Sequence, residues 1–338
     1  MEIFNDHRKL FGSALGLFVG LSFFVAILPA LNNQNNNAPL PGSEVLSGDA
    51  LAGKHIFIAN GCVSCHSQQV RNVDMDKRWG TRPSVAADYA TNTRMNWWMN
   101  TATLMGTERT GPDLTNIGSR LPATDWHLLH LFNPRAVVAG SVMPAYPWLF
   151  EWKDREEEGV KVVNVPEGFA QGRSGRLVAR EEAMQLVAYL QSLKQTPLPD
   201  GTPPPEFLYK EADQQISAGN AHGKAVKVDG AKLYASNCQA CHQANGEGLK
   251  GAFPPLKSSP IVLDDNPETL IEIIMKGYDG SEAYGEMPAV GLNNGLKPEE
   301  ITAIINHERS SWGNNARQIP LEEVERILDY IGKQKPNL

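Results

Sequence analysis

The chain has 338 residues, enough for about two domains, and its 31 basic and 38 acidic side chains leave a formal net charge of −7. It carries no basic stripe, which excludes nucleic acid as a partner. It also carries no nucleophile motif, phosphate-cradling loop or other catalytic constellation, which excludes the common enzyme classes for the chain by itself.

At the N-terminus, Leu10 to Leu31 contains no charged residue and is long enough to cross a bilayer as a helix. His7, Arg8 and Lys9 precede it, and no Lys or Arg follows until Lys54. The positive-inside rule then places the N-terminus in the cytoplasm and all that follows on the periplasmic side of the cell membrane. A cleaved signal peptide competes with this reading. The apolar run is long for one and no clear A-x-A site follows, which favours a retained single-pass anchor over residues 1–35. A buried core helix is the third reading, and the basic cluster ahead of the run argues against it. The segment NNQNNNAPLPGSEVLSG supplies a polar tether, residues 36–47.

A first unit follows over residues 48–196. Gly53, Ile56 and Phe57 lie on a helix that leads into NGCVSCHSQQVR, with Cys62, Cys65 and His66. Then come TGPDL with Pro112, the helical stretch TDWHLLHLF with His127 and His130, and SVMPAYPWL with Met143. The unit closes on EEAMQLVAYLQSLK, where Ala183, Leu186, Val187, Leu190 and Leu193 recur at helical spacing. Residues 197–228, beginning PLPDGTPPPEFLYK, form a Pro-rich and then polar linker, a semi-rigid spacer in composition. The second unit, residues 229–338, repeats the plan. Gly230, Leu233 and Tyr234 precede SNCQACHQ with Cys238, Cys241 and His242; FPPL with Pro254, GEMP with Met287 and the amphipathic LEEVERILDYI follow.

Every cysteine thus belongs to a C-x-x-C-H. A thioredoxin-like pair needs no histidine and sits in a βαβ pattern that is missing here. A Cys₄ zinc site leaves both histidines unexplained and must close across more than half the chain. Covalent haem c uses every residue of the motif: two thiols on one face of a helical turn for the two vinyl groups, and the next imidazole for the iron. Two haem c groups are therefore expected.

A His-ligated haem used for electron transfer takes a sixth ligand, and methionine raises its potential. Of nine methionines, Met143 and Met287 alone precede a proline, one downstream of each motif. Proline extends the backbone before it, which suits a ligand loop. Met184 and Met275 read as core, and Met75, Met95, Met99 and Met105 as weaker ligand candidates. His127 and His130 are the fallback for the first haem. A carbonyl of each proline loop is placed to accept the free N–H of the proximal histidine.

Residues 48–196 carry a net charge of +1 and residues 229–338 a net charge of −6. The acidic unit reads either as a solvated surface or as a docking face for a basic soluble cytochrome c. Six of seven tryptophans lie in the first unit. Core or haem packing is the expectation for most, with Trp97 and Trp98 candidates for a subunit or membrane contact.

Residues from the anchor to about 196 resemble the membrane-anchored monohaem cytochrome c subunit of cbb3-type (C-family) haem-copper oxidases. The stretches that carry the resemblance are GCVSCHSQQVR, KRWG, RTGPDLTNIGSR, DWHLLHLFNPRAVV, SVMPAYPWL and MQLVAYLQSL. The resemblance implies that Cys62 and Cys65 bind haem, that His66 and Met143 ligate its iron, and that the anchor packs beside a haem-copper catalytic subunit. Two departures stand out. NTRMNWWMNTATLMG, residues 92–106, is longer than the family's segment before TGPDL, and a second cytochrome follows where the family's subunit ends. LYASNCQACHQANGEGLKGAFPPL, GEMP and HERSSWGN look like a class I cytochrome c domain.

The expected fold is all-α: an N-terminal transmembrane helix followed by two cytochrome c-type haem domains. The expected role is that of a dihaem electron-transfer subunit, passing electrons from a soluble donor such as cytochrome c to a haem-copper subunit that reduces O₂, with further small subunits as possible companions. A haem-copper nitric oxide reductase as partner, a dihaem peroxidase and a structural zinc protein are the competing readings.

Overall fold

The computed structural model describes residues 4–36, 44–89, 104–155, 159–170, 172–208, 228–279 and 284–333. Met95, Met99, Trp97, Trp98 and the greater part of the second linker lie outside them.

Helix α1 (His7–Leu21) starts at Asp6, whose carboxylate accepts the Arg8 amide at 2.9 Å. It runs through a π-helical stretch, Ser22–Ile27, into α2 (Leu28–Asn36). The wider turn holds Val25, whose carbonyl lies four residues before Pro29, where the ring would clash in a regular helix. The continuous helix His7–Asn36 has 30 residues and a mean hydropathy of 2.4 over its most apolar window. At 1.5 Å per residue it is about 45 Å long, so it is long and apolar enough to cross a membrane. None of its residues is buried by the rest of the chain.

In the first unit, α3 (Gly48–Ala59) is capped by Ser47, whose hydroxyl accepts the Ala50 amide at 3.1 Å. A 3₁₀ turn, Cys62–Ser64, follows, then α4 (Ile117–Arg120), α5 (Thr124–Phe132) and α6 (Glu181–Ser192). Between α5 and α6 lies an antiparallel sheet in the order β1-β3-β2, made of Phe150–Lys153, Val162–Val163 and Arg176–Ala179. The all-α expectation does not contain this sheet. Its strands have two to four residues, too few to show a period of two in the sequence.

The second unit is built of helices joined by loops, with two isolated β-bridges, Leu249 to Phe253 and Tyr278 to Met287, among its described residues. It contains α7 (Gly230–Asn237), α8 (Gln239–His242), α9 (Pro260–Leu263), α10 (Glu268–Lys276), α11 (Val290–Asn293), α12 (Pro298–Ser310) and α13 (Leu321–Lys333).

One helix crossing organises each unit, and glycine makes both possible. A Cβ on Gly53 of α3 would stand 1.9 Å from the Gln185 carbonyl oxygen of α6, and a Cβ on Gly230 of α7 would stand 2.1 Å from that of Ala303 on α12. Beside each glycine an aromatic ring closes the crossing. Phe57 meets Tyr189 edge-on at 5.4 Å, and Tyr234 meets the His307 ring at 5.3 Å. The sequence suggests α13 as the counterpart of α6, because each is the amphipathic helix that closes its unit. The structure gives that place to α12, while α13 packs its Val324, Ile327 and Ile331 into the core shared with α10 and α12.

Met275 is half-buried in that core, but Met184 is 36% exposed and belongs to the surface of α6. The helical pattern alone does not separate an edge position from a central one.

Candidate functional site

The first C-x-x-C-H turns out of α3 through Gly61, whose φ of 69° admits the tight bend. The chain after the motif is held against TGPDL on both sides. The Gly111 amide donates to the Cys65 carbonyl at 2.9 Å, and the Leu114 amide to that of Ser67 at 2.8 Å. The buried Asp113 carboxylate accepts from the Ser67 hydroxyl and the Gln69 amide, both at 2.7 Å. Arg109 adds an ion pair to the fully buried Asp76, which Arg71 also contacts at 3.2 Å.

This clamp brings Pro112 to His66, and its carbonyl lies 2.8 Å from Nδ1. A carbonyl only accepts, so Nδ1 carries the proton and Nε2 keeps its lone pair for a metal. Burial holds the imidazole's pKa below its ordinary value, which favours the neutral ligand form. Gly111 lies so close to the ring that a Cβ there would be 2.3 Å from Cε1. The Met143 loop returns to the same place. Tyr146 hydrogen-bonds the Cys62 thiol, and Trp148 donates to the Asn60 side chain at 3.1 Å.

The fallback histidines are otherwise engaged. Nε2 of His127 donates to the Leu121 carbonyl at 2.7 Å. The His130 ring stacks on Trp126 at 4.6 Å and 11°. Met75 is 67% exposed and Met105 37% exposed.

The second site repeats the first with different helices. His242 Nδ1 lies 2.9 Å from the Pro254 carbonyl, and burial lowers the pKa of this imidazole as well. Met287 exchanges two backbone hydrogen bonds of 2.8 Å with Tyr278. Gly277 fits beneath that pair with a φ of 79°; a Cβ there would meet the Met287 carbonyl at 2.6 Å. Cys238, Cys241, His242 and Met287 all line one cavity of about 600 Å³, walled by apolar side chains such as Phe253, Leu270, Ile274 and Ile304.

The chemistry of this donor set fits a haem c. The cavity has the size of a cofactor site, with two thiols, an imidazole and a thioether on its wall. Arg120 also lines it, and its buried Nε has no hydrogen-bond partner among the described residues, a waiting donor for a carboxylate. Burial pushes the thiols up, Cys62 to about 11 and Cys241 to about 12. Protonated thiols of this kind are poor thiolate nucleophiles or zinc ligands. Among the described residues no three His, Cys, Asp or Glu side chains form a metal cluster, so the four cysteines do not converge on one Cys₄ centre.

Two features of the sites have no sequence signal. Glu308 of α12, 3% exposed, lines the second cavity beside Cys238, and burial raises its pKa to about 8. Residues 120–123 of the first unit form part of the wall of the second unit's cavity.

A histidine offered to iron from a motif that also supplies two thiols, twice, on glycine-crossed helices, defines the class of the protein as a cytochrome c. Residues 2–170 match the family model described as Cytochrome C oxidase, mono-heme subunit/FixO, and residues 225–307 match that of Cytochrome C oxidase, cbb3-type, subunit III. The chain belongs to the FixO family of mono-haem cytochrome c oxidase subunits and carries a further cytochrome c domain of the cbb3 type. Such domains imply covalently bound haem c and make the chain an electron-transfer subunit.

Among curated relatives, the cytochrome c subunit of alcohol dehydrogenase (quinone) from Gluconacetobacter polyoxogenes is 30% identical over 148 residues, 43% of this chain and 30% of the relative. Cytochrome c-552 of Thermus thermophilus is 38% identical over 113 residues, 30% of this chain and 76% of the relative. The cbb3-type cytochrome c oxidase subunit FixP of Bradyrhizobium sp. (strain ORS 278) is 32% identical over 109 residues, 31% of this chain and 34% of the relative. The chain spans about a third of the length of the dehydrogenase subunit and of FixP.

Proposed function

We propose that the chain is the dihaem electron-transfer subunit of a cbb3-type oxidase, taking electrons from a soluble donor and delivering them to the haem-copper subunit that reduces O₂. The observation that carries this reading is the repeated bond from His66 to the Pro112 carbonyl and from His242 to the Pro254 carbonyl. It prepares two neutral imidazoles with Nε2 free, each beside two cysteines.

In this reading Cys62 and Cys65 hold one haem and Cys238 and Cys241 the other. His66 with Met143, and His242 with Met287, would hold the two irons. A bound haem c supplies one-electron Fe(III)/Fe(II) chemistry. The chain's own residues orient and insulate it. The proline carbonyls fix the imidazole planes, Gly111 allows the backbone to press on the His66 ring, and the two methionines would close the irons to O₂. The apolar wall of the second cavity keeps water away, so little solvent has to reorganise when charge moves.

The helix His7–Asn36 is the retained anchor, with the N-terminus in the cytoplasm and residues 48–196 and 229–338 on the periplasmic side. The acidic second unit receives a basic soluble cytochrome c. A second reading, the cytochrome subunit of a membrane dehydrogenase, draws on the likeness to the alcohol dehydrogenase subunit. The family match of the anchor and first unit favours the oxidase.

Purification of the chain with its membrane partners, followed by measurement of O₂ uptake with reduced cytochrome c, tests the proposal. Co-purification with a haem-copper subunit and cyanide-sensitive O₂ uptake are expected. Co-purification with a quinone-dependent dehydrogenase instead, or NO consumption in place of O₂ uptake, would reject it.

A further inference from the structure

The two units are joined by a linker of some thirty residues, which raises a mechanical question. A tethered cytochrome can swing between donor and acceptor, or it can be docked in one place. The contacts made by the start of α5 answer it.

Trp126, 8% exposed, donates its indole N–H to the carbonyl of Ala240 at 3.1 Å. Ala240 is one of the two residues between Cys238 and Cys241, inside the second C-x-x-C-H. On its other side the indole stacks on His130 at 4.6 Å. Trp126 belongs to the same buried core as Cys62 of the first motif, and Ala240 and Cys241 of the second motif pack against that core. One hydrophobic core thus connects the two sites.

Asp125, next to Trp126, grips the opposite wall of the second cavity. Its Oδ2 accepts the amide of Glu286 at 3.3 Å, and Gly285 packs so tightly that a Cβ there would be 2.8 Å from the same oxygen. Met287 is one residue further on. The first unit also contributes Lys161, which pairs with Asp125 at 2.9 Å. Phe253 and Ala252 of the second unit are buried in the first unit's hydrophobic core. A face that loses two core residues to its neighbour does not swing freely, since undocking would return the Phe253 side chain to water.

We infer that α5 fixes the second unit on the first, and that Trp126, in the core shared with Cys62, is the bridge by which an electron passes from the second haem site to the first. This deepens the proposed electron-transfer role and rests on it. The step moves one electron: the donor site loses it, the acceptor site gains it, and no proton or covalent bond changes hands. Trp126 is a positioning and bridging residue. Asp125 is the clamp that keeps the distal loop and the bridge in register.

The test uses the full-length haem-loaded chain in detergent. Internal electron equilibration is followed after flash photoreduction by a flavin semiquinone, in buffers of rising viscosity. Hydrogen exchange is measured in parallel on the peptide covering residues 284–288. A docked pair gives an internal rate independent of viscosity and a protected Glu286 amide. Trp126→Leu slows the rate by about tenfold or more, as losses of positioning generally do, with the two haem c bands unchanged. Asp125→Ala abolishes protection at Glu286. A wild-type rate that falls with viscosity, or an unaltered rate in Trp126→Leu, overturns the inference. Should the Leu variant not fold, the wild-type viscosity and exchange results still decide. Absence of two haem c bands, or of any internal transfer, would instead count against the proposed function itself.

Discussion

Gly53 and Gln185 touch where α3 crosses α6, with no room for a methyl group between the glycine and the Gln185 carbonyl oxygen, 1.9 Å from where a Cβ would stand. The neighbour is backbone, which cannot rotate away. Gly53→Ala must therefore part the helices and pull Phe57 off Tyr189. The expected cost is about 3 kcal/mol or more, at the upper end of overpacking effects, seen as a lower thermal midpoint of the first unit. Gly230→Ala should do the same to the second unit alone. Gly140→Ala, which meets nothing within 4 Å, is the control and should change stability by less than about 0.5 kcal/mol.

The Arg82–Asp88 pair is a second place where the fold is exacting. Two hydrogen bonds of 2.6 and 2.8 Å join the side chains, and the Thr196 amide and carbonyl complete the arrangement. Both residues are buried. Asp88→Ala leaves a buried guanidinium without its anion and should cost about 3–5 kcal/mol. Chemical denaturation read by tryptophan fluorescence checks this.

Axial ligation is checked by carbon monoxide. With Met143 and Met287 as the proposed ligands, both reduced haems of the wild type should resist it. Met143→Leu should open one site and Met287→Leu the other, each binding about one CO per chain in difference spectra. CO binding by the unaltered chain would favour a peroxidase-like site. If Met143→Leu still excluded CO, a histidine would have to be reconsidered at the first haem.

Glu308 gives a pH dependence of definite sign. Its folded pKa is raised to about 8 by burial, above that of an unfolded carboxyl, so the folded chain holds this proton more tightly. Stability from this group is fully present below the unfolded pKa and is lost as pH rises toward 8. Once Cys238 is consumed in a thioether its thiol can no longer donate to Glu308, and the preference for the neutral form increases. Glu308→Gln should remove the decline and raise the thermal midpoint at pH 8–9 by about 5 °C or more, with little change at pH 5. Parallel curves for the two proteins would contradict the assignment.

Much of the candidate site was legible in the sequence, because covalent haem attachment is local. Cys62, Cys65 and His66 lie close together in the chain, and Pro254 follows His242 by 12 residues, although Pro112 follows His66 by 46. Gly53 and Gly230 were visible as matching positions before the two motifs, although only packing shows that they make the crossings. The rest depended on contacts with no periodic trace. Trp126 meets Ala240 across 114 residues, and nothing in TDWHLLHLF marks which aromatic residue faces another unit. Glu308 in HERSSWGN is a charge with no periodic mark of burial, although it is 3% exposed. Arg309, fully buried, donates to the Val262, Asp264 and Arg317 carbonyls, another charge the pattern assigns to the surface. The strands of the small sheet were too short to register.

The most direct measurement is of covalent haem on the purified, denatured chain. After acid-acetone extraction, the pyridine haemochrome spectrum and intact mass should report two haem c groups per polypeptide, one lost in Cys62→Ser/Cys65→Ser and the other in Cys238→Ser/Cys241→Ser. A colourless extracted chain with the mass of the bare polypeptide would contradict the account at its root.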